Sequence, residues 1–386
     1  MRIAFIFDAL LYGGIERVGI SYLKFLEQDG HDVDVYVLNP NDIEEIINEV
    51  PSKFRIYKKK VSPFLCPSRY WYITKRWWWG KFIFPFIYFS TYFLLHIYGL
   101  WFKTKGKYDL AISIAGHFND LSINAYNLIR SEKKVCWLHG GLYSYMIISP
   151  GYERLYMKIK NLVVLNNLAE DECLFYNKYL HLNIWKIYNP CFIADRLINE
   201  NIVMQLKEKY GDYILMVSRM TSQKNPIGVM KAIEYIYRKY GKKYNVVFLG
   251  DGVMKQEFEH YAQNSEISNC FFFVGNDANP QNYYKAAKMF AFSSYSEGLP
   301  TVIVEAMFFG LPIASSDTSV REILQDGKDG LISAIDDNNS LGEDIHKIMS
   351  LKEVWLYYSN RSIERFKSSS PNVIKKQFND FINTLW

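Results

Sequence analysis

Between Pro51 and Tyr108 the chain has no aspartate or glutamate at all, yet it carries twelve lysines and arginines there. The formal net charge of +5 therefore leaves the rest of the molecule at +5 − 12 = −7. Cysteine is also sparse. The five cysteines (Cys66, Cys136, Cys173, Cys191, Cys270) are scattered and form no CxxC pair. That excludes a disulfide framework or a zinc ribbon and fits a reducing compartment. No repeat period and no low-complexity linker is present, which excludes a solenoid. GxGxxG is missing after the first apolar run, and GxxxxGK[ST], GxSxG and paired metal-type histidines are missing throughout. These absences speak against a dinucleotide oxidoreductase, a P-loop enzyme, an α/β-hydrolase and a zinc protease. The opening MRIAFIFDALLYGG reads as a first β-strand and not a secretory signal, because Asp8 interrupts the apolar run and no small-x-small cleavage site follows.

What is present is a chain of 386 residues, 49% apolar and 22% charged, enough to bury two ordinary cores. Apolar runs of strand length alternate with helical patterns, which predicts an α/β fold of two doubly wound, Rossmann-like domains with parallel sheets. Strands are expected near 2–7, 32–38, 110–114, 134–138, 162–165 and 184–188, then near 213–217, 245–249, 270–274, 289–292, 312–315 and 330–333. Helices are expected at Glu16–Gln28, Asn119–Arg130 and Tyr152–Lys160. The expected domains are 1–190, carrying a basic aromatic insert at about 64–107, and 191–370. Pro190 in NPCFIADR marks the crossing point, and a last helix covers 371–386.

Four short segments carry the chemistry. In SYSEGLPTVIVEA, Glu297 lies in a turn after the strand Met289–Phe292, and Glu305 lies about two turns into a helix that Pro300 opens and that runs through Phe309. A strand, a turn and a helix start bring backbone N–H groups and a positive dipole end to one spot. Carboxylates beside such a spot suit a polyhydroxylated ligand that carries phosphate; a half-buried helix with two surface glutamates is the plainer alternative. VSRMTSQKNP places Arg219 and Lys224 after the apolar run Tyr213–Val217, where two cations suit a diphosphate. GDG at 250–252 follows the run Asn245–Leu249, and YGGIER at 12–17 follows the first strand. A Gly-Asp-Gly turn needs no ligand to explain it. The DxD at Asp32–Asp34 alternates with valines in HDVDVYV and reads as a strand, not a metal site.

The ordered set of segments resembles the retaining GT-B glycosyltransferases of family four, clearly over 1–40, 130–195 and 210–335 and poorly between about 50 and 108. The resemblance implies that two sheets face each other across a donor-binding cleft. It gives Glu305 the donor ribose hydroxyls and Glu297 the donor sugar ring. Arg219 and Lys224 would neutralise the departing diphosphate. Gly298, Leu299, Pro300 and Thr301 would hold sugar or phosphate through their available amides, although Pro300 donates nothing. Gly13 and Gly14 would approach the diphosphate where a β-carbon would intrude. Phe273 to Asn276, including Gly275, would border the base. His139 in CWLHGG matches a histidine beside the donor sugar, against the plainer reading of a structural histidine. The implied reaction keeps the anomeric configuration, with a phosphate oxygen taking the acceptor proton. No metal and no cofactor is expected, only a nucleotide sugar, UDP-linked by family habit, as co-substrate.

The acid-free stretch holds five of the nine tryptophans, Trp71, Trp77, Trp78, Trp79 and Trp101. Cations beside tryptophan and tyrosine suit an anionic membrane interface; nucleic acid is a poorer partner because the aromatics form one continuous run. That run, Phe82–Phe102, is long enough to cross a bilayer but is interrupted by Pro85 and Gly99. Docking in the membrane plane is favoured over a core helix and over a span, since the sheet continues beyond it. The expected protein is peripheral on the inner face of the cell membrane. It would transfer a hexose or N-acetylhexosamine to a lipid-linked, lipopolysaccharide or capsule glycan. A catalytically silent scaffold of the same fold and transfer to a soluble acceptor are the alternatives.

Overall fold

The computed structural model describes residues 1–10, 13–40, 45–191, 193 and 196–386; of Glu45 only the backbone is described. It forms two compact units, Met1–Pro190 with Ile374–Trp386, and Cys191–Val373. Both units are doubly wound α/β structures on a parallel sheet, the fold class expected from the alternation of apolar runs and helices.

The first sheet contains β1 (Arg2–Phe7), β2 (Asp32–Val37), β3 (Arg55–Lys58), β4 (Lys107–Ser113), β5 (Arg130–Leu138), β6 (Asn161–Val164) and β7 (Asn183–Lys186). Their spatial order is β3-β2-β1-β4-β5-β6-β7, all parallel. The chain runs outward from β1 to β3 and then crosses back to β4. The order thus reverses between β1 and β4. The central strands are apolar on both faces, as helices covering both sides of a parallel sheet require. The edge strand β3 was not anticipated. Its sequence RIYK is short and polar at both ends, and Arg55 Nε holds it to Asp34 Oδ1 at 2.5 Å.

The second sheet contains β8 (Tyr213–Val217), β9 (Asn245–Leu249), β10 (Phe271–Gly275), β11 (Met289–Phe292), β12 (Ile313–Ser316) and β13 (Leu331–Ser333), ordered β10-β9-β8-β11-β12-β13. Here the order reverses between β8 and β11. Its core gathers Met216, Val229, Ile233, Phe248, Met289 and Ile345.

Two helical expectations change. The helix expected at Asn119–Arg130 spans only Phe118–Ala125, because Asn127 turns into the left-handed region (φ 56°) and Arg130 already begins β5. The run expected to break at Pro85 and Gly99 is one continuous helix, Gly80–Lys103. Gly99 has a packing reason: a β-carbon there would come within 2.8 Å of the Leu128 side chain. The helix Pro371–Asn383 lays Phe378 against Tyr22 (ring centroids 4.8 Å apart), while Lys375 Nζ meets Asp29 Oδ1 at 2.7 Å. Phe378 is fully buried, worth roughly 2–3 kcal/mol to the first unit.

Candidate active site

In the second unit, three loops meet past the carboxyl ends of β8, β9 and β11. Ser218 N–H donates to Leu249 O, Met220 N–H to Asp251 O and Gly250 N–H to Gly275 O. Glycine is required here. A β-carbon on Gly250, whose φ is +137°, would lie 2.0 Å from Ser218 O, and one on Gly252 would lie 2.5 Å from Met220 O. On the other side, Ser294 Oγ and Tyr295 N–H both donate to Gln223 O, and Gln223 Nε2 donates to Ser296 O. These straps bring Lys224 to Glu297. Lys224 Nζ donates to both Glu297 oxygens, at 2.5 and 2.7 Å, with the two side chains only 15% and 9% exposed. The pair spans the β8/β11 reversal, the position in an open α/β sheet where diverging loops leave a ligand crevice.

The other expected groups of this unit sit nearby in sequence but make separate contacts. Arg219 is exposed, and its guanidinium has no ion pair among the described residues. Lys224, by contrast, is paired with a carboxylate. Glu305 lies in the second turn of the helix Thr301–Phe308, where its Oε2 accepts the Tyr284 hydroxyl at 2.7 Å. Pro300 is the cap of that helix and not its first residue, and the helix ends one residue short of Phe309. Gly298 and Thr301 are half-buried, and Leu299 and Pro300 are buried behind them. Gly275 ends β10 with φ +77°, and Asn276 is exposed beyond it. Tyr284 was missed by sequence reasoning because it lies on another helix, Pro280–Ala286. Lys255 was also missed; its Nζ lies 3.9 Å from Asp251 Oδ2, beside Gly275.

In the first unit, Gly13 caps the helix Gly14–Gln28. Tyr12 lies outside the described residues. A β-carbon on Gly13 would meet the Glu16 carboxylate, whereas one on Gly14 would meet nothing within 4 Å. Glu16 thus occupies the place at this helix start that an anion would take. His139 follows β5 directly, and its Nε2–H donates to Ile114 O at 2.6 Å. Burial pushes its pKa down to about 4, so the ring is neutral and Nδ1 carries a lone pair. A polar network that the motifs did not reveal lies past β1 and β4. Asp8 accepts His117 Nδ1–H at 2.9 Å and Asn119 Nδ2–H at 2.8 Å. Asp120 is fully buried and accepts the backbone N–H groups of Gly116 and His117. The signal for it was positional: polar residues immediately after two adjacent apolar strands. Among the described residues no group of three or more potential metal ligands is found.

The two doubly wound units, each with an ionisable pair at its strand-order reversal, have the architecture of the GT-B fold. Residues 198–365, in the second unit, match the model for glycosyl transferases group 1. The chain is 25% identical over 251 residues to the Campylobacter jejuni GalNAc-alpha-(1->4)-GalNAc-alpha-(1->3)-diNAcBac-PP-undecaprenol alpha-1,4-N-acetyl-D-galactosaminyltransferase, covering 62% of this chain and 68% of that protein. It is 23% identical to the amylovoran biosynthesis glycosyltransferase AmsD of Erwinia amylovora, over 96% of both chains. The crystal structure of Anabaena HepE with UDP and glucose superimposes with a TM-score of 0.77 at 15% identity over the whole of both chains, a likeness of fold.

Proposed function

We propose that this protein is a retaining glycosyltransferase that moves a hexose or N-acetylhexosamine from a UDP-sugar to a hydroxyl of a lipid-linked, lipopolysaccharide or capsule glycan. The observation that carries this reading is the Lys224–Glu297 pair at the β8/β11 switch point, inside the stretch that matches the group 1 model, with Arg219 exposed in the same loop after β8. The bond from the anomeric carbon to the diphosphate oxygen breaks, and its electron pair leaves with the diphosphate. Arg219 and Lys224 take up that charge, the largest electrostatic demand of the reaction. Glu297 and Glu305 are acceptors for sugar and ribose hydroxyls, each oriented by a partner, Lys224 or Tyr284. The acceptor oxygen bonds to the anomeric carbon on the face that the diphosphate vacates, and its proton passes to an oxygen of the departing diphosphate. The two cations supply the positive charge, so EDTA is expected to leave turnover unchanged. The UDP bound by the Anabaena protein and the undecaprenol-linked acceptor in the Campylobacter name support the choice of donor and acceptor class.

The test mixes purified protein with a panel of sugar nucleotides and the lipid-linked oligosaccharides extracted from source-cell membranes. Release of nucleoside diphosphate, retention at the new anomeric centre by NMR, and its loss in Glu305→Ala and Lys224→Ala are expected. No release with any donor would leave the silent-scaffold reading in possession.

The same reading places the protein on the cytoplasmic face of the membrane through the helix Gly80–Lys103. This is the one helix among the described residues long and apolar enough to cross a membrane, yet only 17% of its apolar window is buried. Phe82, Phe86, Phe89, Phe93, Ile97 and Leu100 are exposed and recur at spacings of three and four, forming one stripe along the helix. The opposite face packs on the first unit: Phe84 on Trp71 at 4.3 Å, Tyr92 on Tyr126 at 5.5 Å, and buried Phe102 on Tyr36 at 5.8 Å. A full span would have to break those contacts, so the helix lies in the membrane plane. Lys75, Arg76 and Lys81 flank one end and Lys103 and Lys105 the other, where they meet anionic head groups. Co-sedimentation with phosphatidylglycerol vesicles is expected, and replacing Phe82, Phe86 and Phe93 together by serine abolishes it; unchanged sedimentation of that variant refutes the docking.

A further inference from the structure

The geometry points to a second ligand site on the first unit, which rests on the glycosyl-transfer reading above: we propose that His117, oriented by Asp8, accepts a hydrogen bond from a hydroxyl of the glycan acceptor. Asp8 follows β1 and His117 opens the helix that follows β4, so the two straddle the strand-order reversal of the first sheet. Every other polar group of the network is committed within it. Both oxygens of Asp8 accept, from His117 Nδ1 and Asn119 Nδ2, and both oxygens of Asp120 accept backbone N–H groups. His117 Nε2 alone has no partner among the described residues, and its side chain is half exposed.

Once the ring has lost a proton, Nδ1 keeps the remaining one for the Asp8 carboxylate and Nε2 presents a lone pair outward. The groups facing the ring settle what it can bind. Asp8 at the end of β1, Glu16 on the helix Gly14–Gln28 and Asp120 on His117's own helix are carboxylates, and His139 at the end of β5 is neutral. Three carboxylates repel a phosphate or a carboxylate ligand. A neutral hydroxyl is the complementary partner for a lone pair in such surroundings. The hydrogen bond to Asp8 raises the His117 pKa to about 8, with Asp120 and Glu16 adding to the effect. Acceptor binding should therefore strengthen as pH climbs through about 8, where the lone pair is uncovered.

The test uses the full chain, a labelled UDP-sugar, and the extracted lipid-linked oligosaccharide pool at graded dilution. For the wild type, the apparent acceptor KM falls from pH 7 to pH 9 while the KM for the UDP-sugar varies less than about twofold. His117→Gln, which cannot titrate, raises acceptor KM roughly tenfold at pH 9, the loss of about one good hydrogen bond, and flattens its pH profile. Asp8→Asn still accepts the Nδ1–H but lacks the charge, so the midpoint of the profile moves to lower pH. That shift separates a ligand-binding role from a merely structural one, and it stands if His117→Gln fails to fold. Wild-type acceptor KM and pH dependence in both variants, with transfer intact, overturns this inference alone. No transfer by the wild-type protein overturns the glycosyl-transfer reading beneath it.

Discussion

Replacing Lys224 by alanine removes the partner of a carboxylate whose side chain is only 9% exposed. Glu297 would then sit charged and nearly buried, with no ammonium 2.5 and 2.7 Å away. The attraction across that distance at an effective dielectric of about 20 is roughly 6 kcal/mol, but desolvation of both ions offsets much of it. What breaking the pair costs is the stranded charge, about 3–5 kcal/mol. For a unit of this size each kcal/mol moves the melting point by about 2–4 °C, so a fall of roughly 6–20 °C is expected. Removing both charges in Lys224→Ala/Glu297→Ala strands nothing, and the double variant should regain about 2 kcal/mol or more over the sum of the singles. Calorimetry on the four proteins measures the cycle, with nucleotide release followed in parallel. If Lys224→Ala melts within 2 °C of wild type, or the two substitutions are additive, the pair does not hold the loops after β8 and β11 together. The placement of both residues at one site would then be wrong.

Other consequences follow from single contacts. Tyr284→Phe deletes the hydroxyl on Glu305 Oε2, which should cost about 1–2 kcal/mol of stability and raise the KM for the nucleotide sugar; an unchanged KM would detach Glu305 from the donor. Gly250→Ala puts a methyl group 2.0 Å from Ser218 O at a φ that alanine rarely adopts, so the variant should lose several kcal/mol or fail to accumulate folded, as circular dichroism would report. Two groups of the first unit bind protons more tightly folded than unfolded: burial raises Asp120 to about 7, and Asp8 raises His117 to about 8. Asp120's contribution is whole below about pH 4 and His117's below about pH 6.5. Both are lost as pH rises through the folded values, together on the order of 5 kcal/mol after discounting half-exposed His117, with roughly 3–4 kcal/mol of it falling between pH 5 and 8.5. Denaturant titrations at pH 5 and 8.5 should show that loss, and a stability flat or rising across the window would refute it.

The parallel sheets were legible because their strands are apolar on both faces and bounded by turn residues, a pattern that does not depend on distant contacts. The misses came where a distant partner decides. β3 reads as polar loop until Asp34 on β2 offers its carboxylate to Arg55. Asn119–Arg130 looks helical throughout, but Asn124 spends its amide on the carbonyls of Ala111 and Val135, and the next turn is given up to β5. Pro85 and Gly99 suggest breaks only to a reader who cannot see that Leu128 needs the room a glycine leaves. The same limit applies to the site. Lys224 and Glu297 were picked as residue types in short motifs, but their mutual contact depends on Gln223, Ser294 and Tyr295 stitching two loops 70 residues apart.

Both sheets place a hydrogen-bonded ionisable pair across their strand-order reversal, Asp8–His117 in one and Lys224–Glu297 in the other. The reversal is where successive connections leave to opposite sides, so loops there separate instead of packing, and polar groups can face a ligand without being buried by a neighbour. What differs is the surrounding charge. Lys224 has the exposed cation Arg219 close by in its loop, whereas His117 is ringed by Asp8, Glu16 and Asp120. On the proposed reading an anion goes with the first set, because the carboxylates of the second would repel it, and a neutral hydroxyl meets no such penalty at the second. Exchanging the signs would therefore harm more than any single loss of contact. Arg219→Glu should lose donor turnover further than Arg219→Ala, because alanine removes an attraction while glutamate adds a repulsion at the same place. Equal residual turnover in the two variants would mean that Arg219 does not face the diphosphate, and the assignment of phosphate to this loop would go with it.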